Sequence, residues 1–381
     1  MKSIKDKKLI WWRDVPIDVE IGLLTYLSEV WNNDIYLISA NDYENSRKQC
    51  SWEADSFNNV HMIVGNLESQ DNRALIDRLL EEDSINIFSG IKGGQRKYLD
   101  LLNKKNTNAC VVIMESTNLY GSKFKLILKK IAYPLVYGGY YRNYKTIIKG
   151  LFAMGEKAVK QYSSYGWKNI FDFMYMPKLH KSDNNPISES PDNKEIKMLY
   201  IGRFDYPTKV INILMDSIDN LNVSKPWRID FVGGYGSQKN EVIEWCRKKE
   251  NVKFIGSWKS DSVVEKMSDY DFCIVPSLYD GWNLTPLQAI NAGIGCIATD
   301  NSGSEELIRN SGAGVVIKTN DSLALTEAIQ NAIENSNSVE FWKANAREYA
   351  DKVSMENVGS YFVEALRYCF GETENKPKCP W

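Results

Sequence analysis

The segment Pro276-Ser277-Leu278-Tyr279-Asp280-Gly281-Trp282-Asn283-Leu284-Thr285-Pro286-Leu287-Gln288-Ala289 joins two elements of different periodicity. Four apolar residues, Phe272–Val275, precede it and read as a buried strand. Pro286 suits the first turn of a following helix, where its missing N–H costs nothing. The amides of Leu284 and Thr285 would then point out of a helix N-terminus, toward an anion such as phosphate. Asp280 can accept hydrogen bonds from sugar hydroxyls. Gln288, eight positions on and one turn into the helix, can donate to and accept from a ribose diol. A helix cap and a surface glutamine account for either residue alone, but not for the run between them.

Working outward, the same alternation fills the second half. Strands are expected at Met198–Ile201, Ile229–Val232, Val252–Ile255, Phe272–Val275, Cys296–Ala298 and Val315–Ile317. Helices lie between them, one starting near Lys209, and three more run from Ser322 to Tyr368. The first half repeats the style, with strands at Leu9–Trp12, Ile35–Ser39, Val60–Val64, Ile85–Phe88, Cys110–Met114, Leu151–Met154 and Phe171–Met176. Strands alternating with helices argue for parallel sheets covered on both faces. Lys181–Lys194, with almost nothing apolar, is the best linker. The expected division is therefore 1–180, a linker at 181–194, 195–354, a helix at 355–370 returning to the first domain, and a frayed tail at 371–381. Ligands of doubly wound sheets bind beyond the C-terminal ends of the strands, so chemistry is expected in a cleft between two such domains.

Composition bounds the function. The chain has 381 residues, 43% hydrophobic and 25% charged, with a net charge of −2. That is enough for two cores and is not a nucleic-acid coat. No apolar run approaches the roughly 20 residues of a membrane span. Met1–Trp12 reads as a first strand, not a signal peptide. The seven scattered cysteines form no Cys-x-x-Cys pair and read as reduced core residues of a cytoplasmic protein.

Two further loops could join the site. In Ile201-Gly202-Arg203-Phe204-Asp205-Tyr206-Pro207-Thr208-Lys209, the cations Arg203 and Lys209 flank a strand-to-helix loop. Both could reach one diphosphate, or both could be solvated surface cations. In Phe231-Val232-Gly233-Gly234-Tyr235-Gly236, glycines after a strand would let backbone approach a ligand, or would only make a turn.

Taken in this order and spacing, these motifs resemble the retaining GT-B glycosyltransferases of the "glycosyl transferases group 1" type. Their hallmark, two glutamates separated by seven residues, stands here as Asp280 and Gln288. The resemblance runs from Met198 to about Ile317 and includes Asn251–Gly256 and Asp269-Tyr270-Asp271. It implies a GT-B fold, two Rossmann-like doubly wound parallel-sheet domains facing across a cleft. The first domain would bind an acceptor and the second a nucleotide sugar. It implies that Arg203, Lys209, Leu284 and Thr285 hold the donor diphosphate. Asp280, Gly281, Trp282 and Asn283 would contact the sugar, and Gln288 the ribose. Gly233, Gly234, Ile255, Gly256 and Trp258 would surround the base. A UDP-sugar is the default donor, with no cofactor or metal.

Two substitutions depart from the pattern, since Asp is one methylene shorter than Glu and Gln carries no charge. Related enzymes often place a first-domain histidine near the donor sugar, but His61 and His180 read as structural. Glu115, at a strand end, could replace that histidine as a catalytic group, or could be a capping or surface carboxylate. Arg13 and Asp14 are expected on the acceptor side. Residues 115–181 carry 12 Lys/Arg against 3 Asp/Glu. Within them, 123–149 interleaves cations with apolar and aromatic residues. That pattern suits an anionic membrane surface, as a lipid-linked saccharide acceptor would require, or an ordinary amphipathic helix. Surface polysaccharide or lipopolysaccharide assembly is the expected setting. Rival readings are a non-catalytic nucleotide-sugar-binding protein and a sugar epimerase on the same frame. A phosphorylase lacks its lysine motif, and no nucleic-acid-reading motif is present.

Overall fold

The computed structural model describes residues 3–15, 18–42, 59–106, 108–177, 195–205 and 208–381. The linker at 181–194 and His180 lie outside these. The chain divides into two compact units. One holds the described residues up to 177 together with Met355–Pro380, and the other runs from 195 to Ser354.

The first unit alternates as its sequence pattern requires. Its elements are β1 (Lys8–Arg13), α1 (Ile21–Val30), β2 (Ile35–Ser39), β3 (Val60–Val64), α2 (Gln70–Glu81), β4 (Ser84–Ser89), α3 (Arg96–Lys105), β5 (Cys110–Met114), α4 (Lys123–Tyr144), β6 (Ile148–Met154), α5 (Gly155–Ser164) and β7 (Ile170–Phe173). All seven strands are parallel, in the order β3-β2-β1-β4-β5-β6-β7. Leu9 pairs with Ile35 on one side and Ile85 on the other. Leu9, Ile10, Trp11 and Trp12 are fully buried, so this central strand reads as a continuous apolar run with no alternation. Each indole finds a partner: Trp11 Nε1 donates to Ser89 Oγ at 2.8 Å, and Trp12 Nε1 to Asn86 Oδ1 at 2.8 Å.

The second unit comprises β8 (Ile196–Ile201), α6 (Ile211–Asp219), β9 (Trp227–Val232), α7 (Lys239–Cys246), β10 (Val252–Gly256), α8 (Val263–Met267), β11 (Phe272–Val275), α9 (Leu284–Ala292), β12 (Gly295–Thr299), α10 (Glu305–Ser311), β13 (Gly314–Ile317), α11 (Ser322–Glu334) and α12 (Ser336–Tyr349). Its strands, again all parallel, run β10-β9-β8-β11-β12-β13. Both sheets are therefore doubly wound, with the order reversing between β1 and β4 in one and between β8 and β11 in the other. The Asp269–Asp271 step is structural here. Asp271 accepts from the Lys197 amide at 2.9 Å and from Lys343 Nζ at 3.2 Å, both within the unit's interior, so β11, β8 and α12 share one buried anchor.

The last helix, α13 (Met355–Cys369), packs on the first unit. Phe362 is fully buried, with ring centroids 4.7 Å from Phe152, 5.2 Å from Phe173 and 6.2 Å from Trp11. A Cβ at Gly359 would meet the Tyr26 ring at 2.4 Å, so only glycine lets α13 sit this close to α1.

Three local expectations need correction. The helix expected near Lys209 begins at Ile211, because Val210 turns into the left-handed region at φ 43°. The strand expected to reach Met176 ends at Phe173. The tail is held, not frayed: Glu372 accepts from the Ile4 amide and pairs with Arg367, and Lys376 Nζ donates to Ile170 O at 2.8 Å.

Two outcomes follow for stability. Phe362→Ala should destabilise the first unit by about 3–5 kcal/mol, read as a lower urea midpoint for that unit with the second unit unmoved. Burial, with a smaller push from Glu156, raises the Asp172 carboxyl to about 7, against the amides of Phe173 and Gly155. The folded state thus holds a proton that the unfolded chain releases near pH 4, so this group's stabilisation fades as pH rises through about 7. Asp172→Asn should raise the melting temperature at about pH 8.5 and leave it unchanged at about pH 4.

Candidate functional site

Where strand order reverses, the connections from two neighbouring strands leave in opposite directions and open a gap at the strand ends. In the second unit those ends are Ile201 of β8 and Val275 of β11. The two loops are tied across the gap. Leu278 N donates to Thr208 O at 2.9 Å, and Lys209 Nζ forms an ion pair with the Asp280 carboxylate. Both partners are largely withdrawn from solvent, with side chains 12% and 22% exposed. Partial burial strengthens such a pair over a surface one. The left-handed turn at Val210, costly for a β-branched residue, redirects the chain just after Lys209.

Arg203 does not join that pair. Its guanidinium is half-exposed and lies 3.4 Å from Asp205. The backbone around it is fixed, since Tyr200 Oη donates to Arg203 O at 2.6 Å and Phe204 N to Tyr235 O at 3.0 Å. Gly233 sits against this loop so closely that a Cβ would lie 2.2 Å from Gly202 O and 2.6 Å from the Phe204 ring. Gly233 N also donates to Gly256 O at 2.8 Å, which brings the three loops after β8, β9 and β10 together. Gly234 O accepts from Lys239 Nζ at 2.8 Å. Ile255 is exposed, and the Trp258 ring lies 6.1 Å from Tyr270 and 5.6 Å from the Lys266 ammonium.

The loop after β11 is clamped from behind. Asp280 N donates to Asn301 O at 3.0 Å, and Asn301 Nδ2 to Leu278 O at 2.9 Å. A Cβ at Gly303, where φ is +87°, would lie 2.7 Å from Asp280 O. Asn283 is the N-cap of α9, and its Oδ1 accepts from Thr285 N at 3.0 Å. A phosphate would therefore have to displace this cap to use the Thr285 amide, while Leu284 opens the helix beside it. Gln288 lies half-buried one turn on, and Trp282 is buried behind Gly281 with its Nε1 unpartnered among the described residues.

The sequence reading missed the support behind this loop. Ser302, Ser304, Glu305 and Glu306 are all buried, and Ser304 Oγ donates to Asn283 O at 2.5 Å. The available signal was two adjacent carboxylates opening α10, where the helix N-terminus favours negative charge.

The first unit has its own gap, also at the reversal. A cavity of about 460 Å³ lies beyond β1, β4 and β5, walled by Arg13, Asp14, Lys92, Glu115 and the tyrosines 133, 137 and 175. Arg13 is buried in an ion pair with Glu20, and Asp14 accepts from Gly94 N at 2.8 Å and Asn41 Nδ2 at 3.0 Å. Both therefore build the wall. Gly93 has φ +82°, and a Cβ there would lie 2.7 Å from the Asp14 carboxyl carbon. Glu115, exposed at the end of β5, accepts from Tyr175 Oη at 2.8 Å. Lys92 Nζ donates to Tyr137 Oη at 3.1 Å. Aromatic faces beside carboxylates suit a polyol such as a sugar. His61 lies elsewhere, stacked on Tyr36 and 3.2 Å from Asp34.

This pair of doubly wound sheets is the GT-B fold, as the resemblance implied. Residues 181–349 match the family model described as "Glycosyl transferases group 1", so the resemblance read from the second half is borne out. Glycogen synthase of Mycobacterium tuberculosis is 23% identical over 148 residues, 38% of this chain and 36% of that protein. The chain spans less than half the length of the curated relatives it matches. The crystal structure of Anabaena HepE in complex with UDP superposes with a TM-score of 0.66 at 14% identity, covering 94% of this chain and 99% of that one. WaaG, a glycosyltransferase involved in lipopolysaccharide biosynthesis, gives 0.58 at 15%, covering 94% and 98%.

The packing at Gly233 yields a test. Gly233→Ala must push the Phe204 ring and the Gly202 carbonyl apart. It should cost about 1–3 kcal/mol in urea unfolding.

Proposed function

We propose that this chain is a retaining glycosyltransferase. It moves a hexosyl-type sugar from a nucleoside-diphosphate sugar, a UDP-sugar first, to a saccharide or lipid-linked saccharide acceptor in surface polysaccharide or lipopolysaccharide assembly. The observation that carries this reading is the Lys209–Asp280 pair at the reversal point of the second sheet. It sets a cation and a hydrogen-bond acceptor side by side where doubly wound sheets take ligands. UDP bound to HepE and the group 1 match over 181–349 support it.

In this reading the donor diphosphate competes for the Lys209 ammonium and draws in the exposed Arg203 guanidinium. Asp280, released from full neutralisation, accepts hydrogen bonds from the sugar hydroxyls. Gln288 holds the ribose, and the base lies by Gly233, Gly234, Ile255, Gly256 and Trp258. The bond from the anomeric carbon to the phosphate oxygen breaks, and its electrons stay on that oxygen. The acceptor hydroxyl attacks from the same face and gives its proton to the departing phosphate, so configuration is retained. Two cations and the α9 N-terminus meet the developing charge, which leaves no step for a metal or other cofactor. The acceptor lies in the first-unit cavity, with Glu115 and the tyrosines as its contacts.

UDP and UDP-sugars should raise the melting temperature, because a ligand of the folded state alone stabilises it by mass action. Donor turnover should release nucleoside diphosphate and persist in EDTA. Asp280→Ala should slow it about a hundredfold or more, while Lys209→Met should chiefly weaken donor binding. Protein that binds the donor yet never breaks it, with any acceptor supplied, would favour the non-catalytic binding reading instead.

A further inference from the structure

Helix α4 is divided lengthwise in its environment. Its C-terminal half is anchored: the Tyr137 ring packs on Tyr162 and Tyr165, Trp167 Nε1 donates to Tyr137 O at 3.1 Å, and Tyr144 is buried. Its N-terminal half presents apolar residues to solvent. Of the large hydrophobic side chains exposed among the described residues, six of ten lie between Phe124 and Val136, with Phe124 71%, Leu135 65% and Ile131 61% exposed.

These residues form one stripe. At 3.6 residues per turn, Phe124, Ile127, Leu128, Ile131 and Leu135 fall within an arc of about 100°. Lys123 and Lys130 border it on one side, and Lys125 and Lys129 on the other. Leu126, Tyr133 and Tyr137 take the opposite face and are half-buried. From 123 to 149 the chain carries seven Lys/Arg and no Asp or Glu.

We propose that this face of α4 docks on an anionic lipid surface. The apolar stripe would enter the boundary between headgroups and acyl chains, and the flanking lysines would meet lipid phosphates on both sides. A second copy of the chain fits less well, because stripe-to-stripe packing brings like-charged lysine rows together. Docking does not rest on the transfer reading, since it needs neither donor nor acceptor.

The test is co-sedimentation of the full chain with vesicles of phosphatidylcholine alone and of equal parts phosphatidylcholine and phosphatidylglycerol. Binding is expected only to the anionic vesicles and should weaken with added salt. Phe124→Ser with Ile131→Ser should abolish it. Lys125→Glu with Lys130→Glu should lower the partition coefficient more than about tenfold. Both pairs are exposed, so unchanged melting temperature and circular dichroism would show the variants intact. No sedimentation with anionic vesicles, or equal sedimentation with neutral ones, would overturn the proposal. So would a lipid-independent dimer in analytical ultracentrifugation that the Phe124/Ile131 variant dissolves.

Discussion

The reversal of strand order is the constraint on which both candidate sites depend. Crossovers between parallel strands are right-handed, so a sheet that grows first one way from its central strand and then the other must place helices on opposite faces. At the turning point two adjacent strand ends are left without a covering helix. Polar loops meet there, and their charges face each other across a narrow gap. In the second unit that gap holds Lys209 and Asp280, brought together from opposite sides of the reversal. In the first it holds a cavity with Glu115, Lys92 and several tyrosines.

Much of the fold was legible because strands buried on both faces must be apolar throughout. Leu9–Trp12, Cys110–Met114 and Phe272–Val275 announce themselves by that rule alone. Helices whose outer faces are long and polar are harder to read. Gly155–Ser164 buries little beyond Ala158 and Tyr162, so its periodicity is faint. The start of α6 was misplaced by two residues for a different reason. Nothing in a valine advertises a left-handed backbone, and the surrounding packing imposes it.

The candidate site was legible in its residues but not in its pairings. Arg203 and Lys209 read alike as cations beside one loop. The structure separates them, sending one to Asp205 and the other to Asp280, 71 positions away. A contact of that range is set by sheet topology, which residue spacing does not carry. The same holds for the buried Ser302–Glu306 support, whose Ser304 hydroxyl reaches the Asn283 carbonyl. It becomes visible only once β11 and β12 lie side by side.

Helix α13 adds a consequence of a different kind. The first unit's sheet is laid down by residue 173, but the helix carrying Phe362 against Trp11, Phe152 and Phe173 is encoded nearly two hundred positions later. During vectorial synthesis, therefore, the amino-terminal sheet emerges from the ribosome with aromatic surface still bare. It stays so until the whole of the other unit has been translated. Such surface is what chaperones bind, so an elongation pause between 173 and 355 would prolong its exposure and raise the yield of misassembled chains.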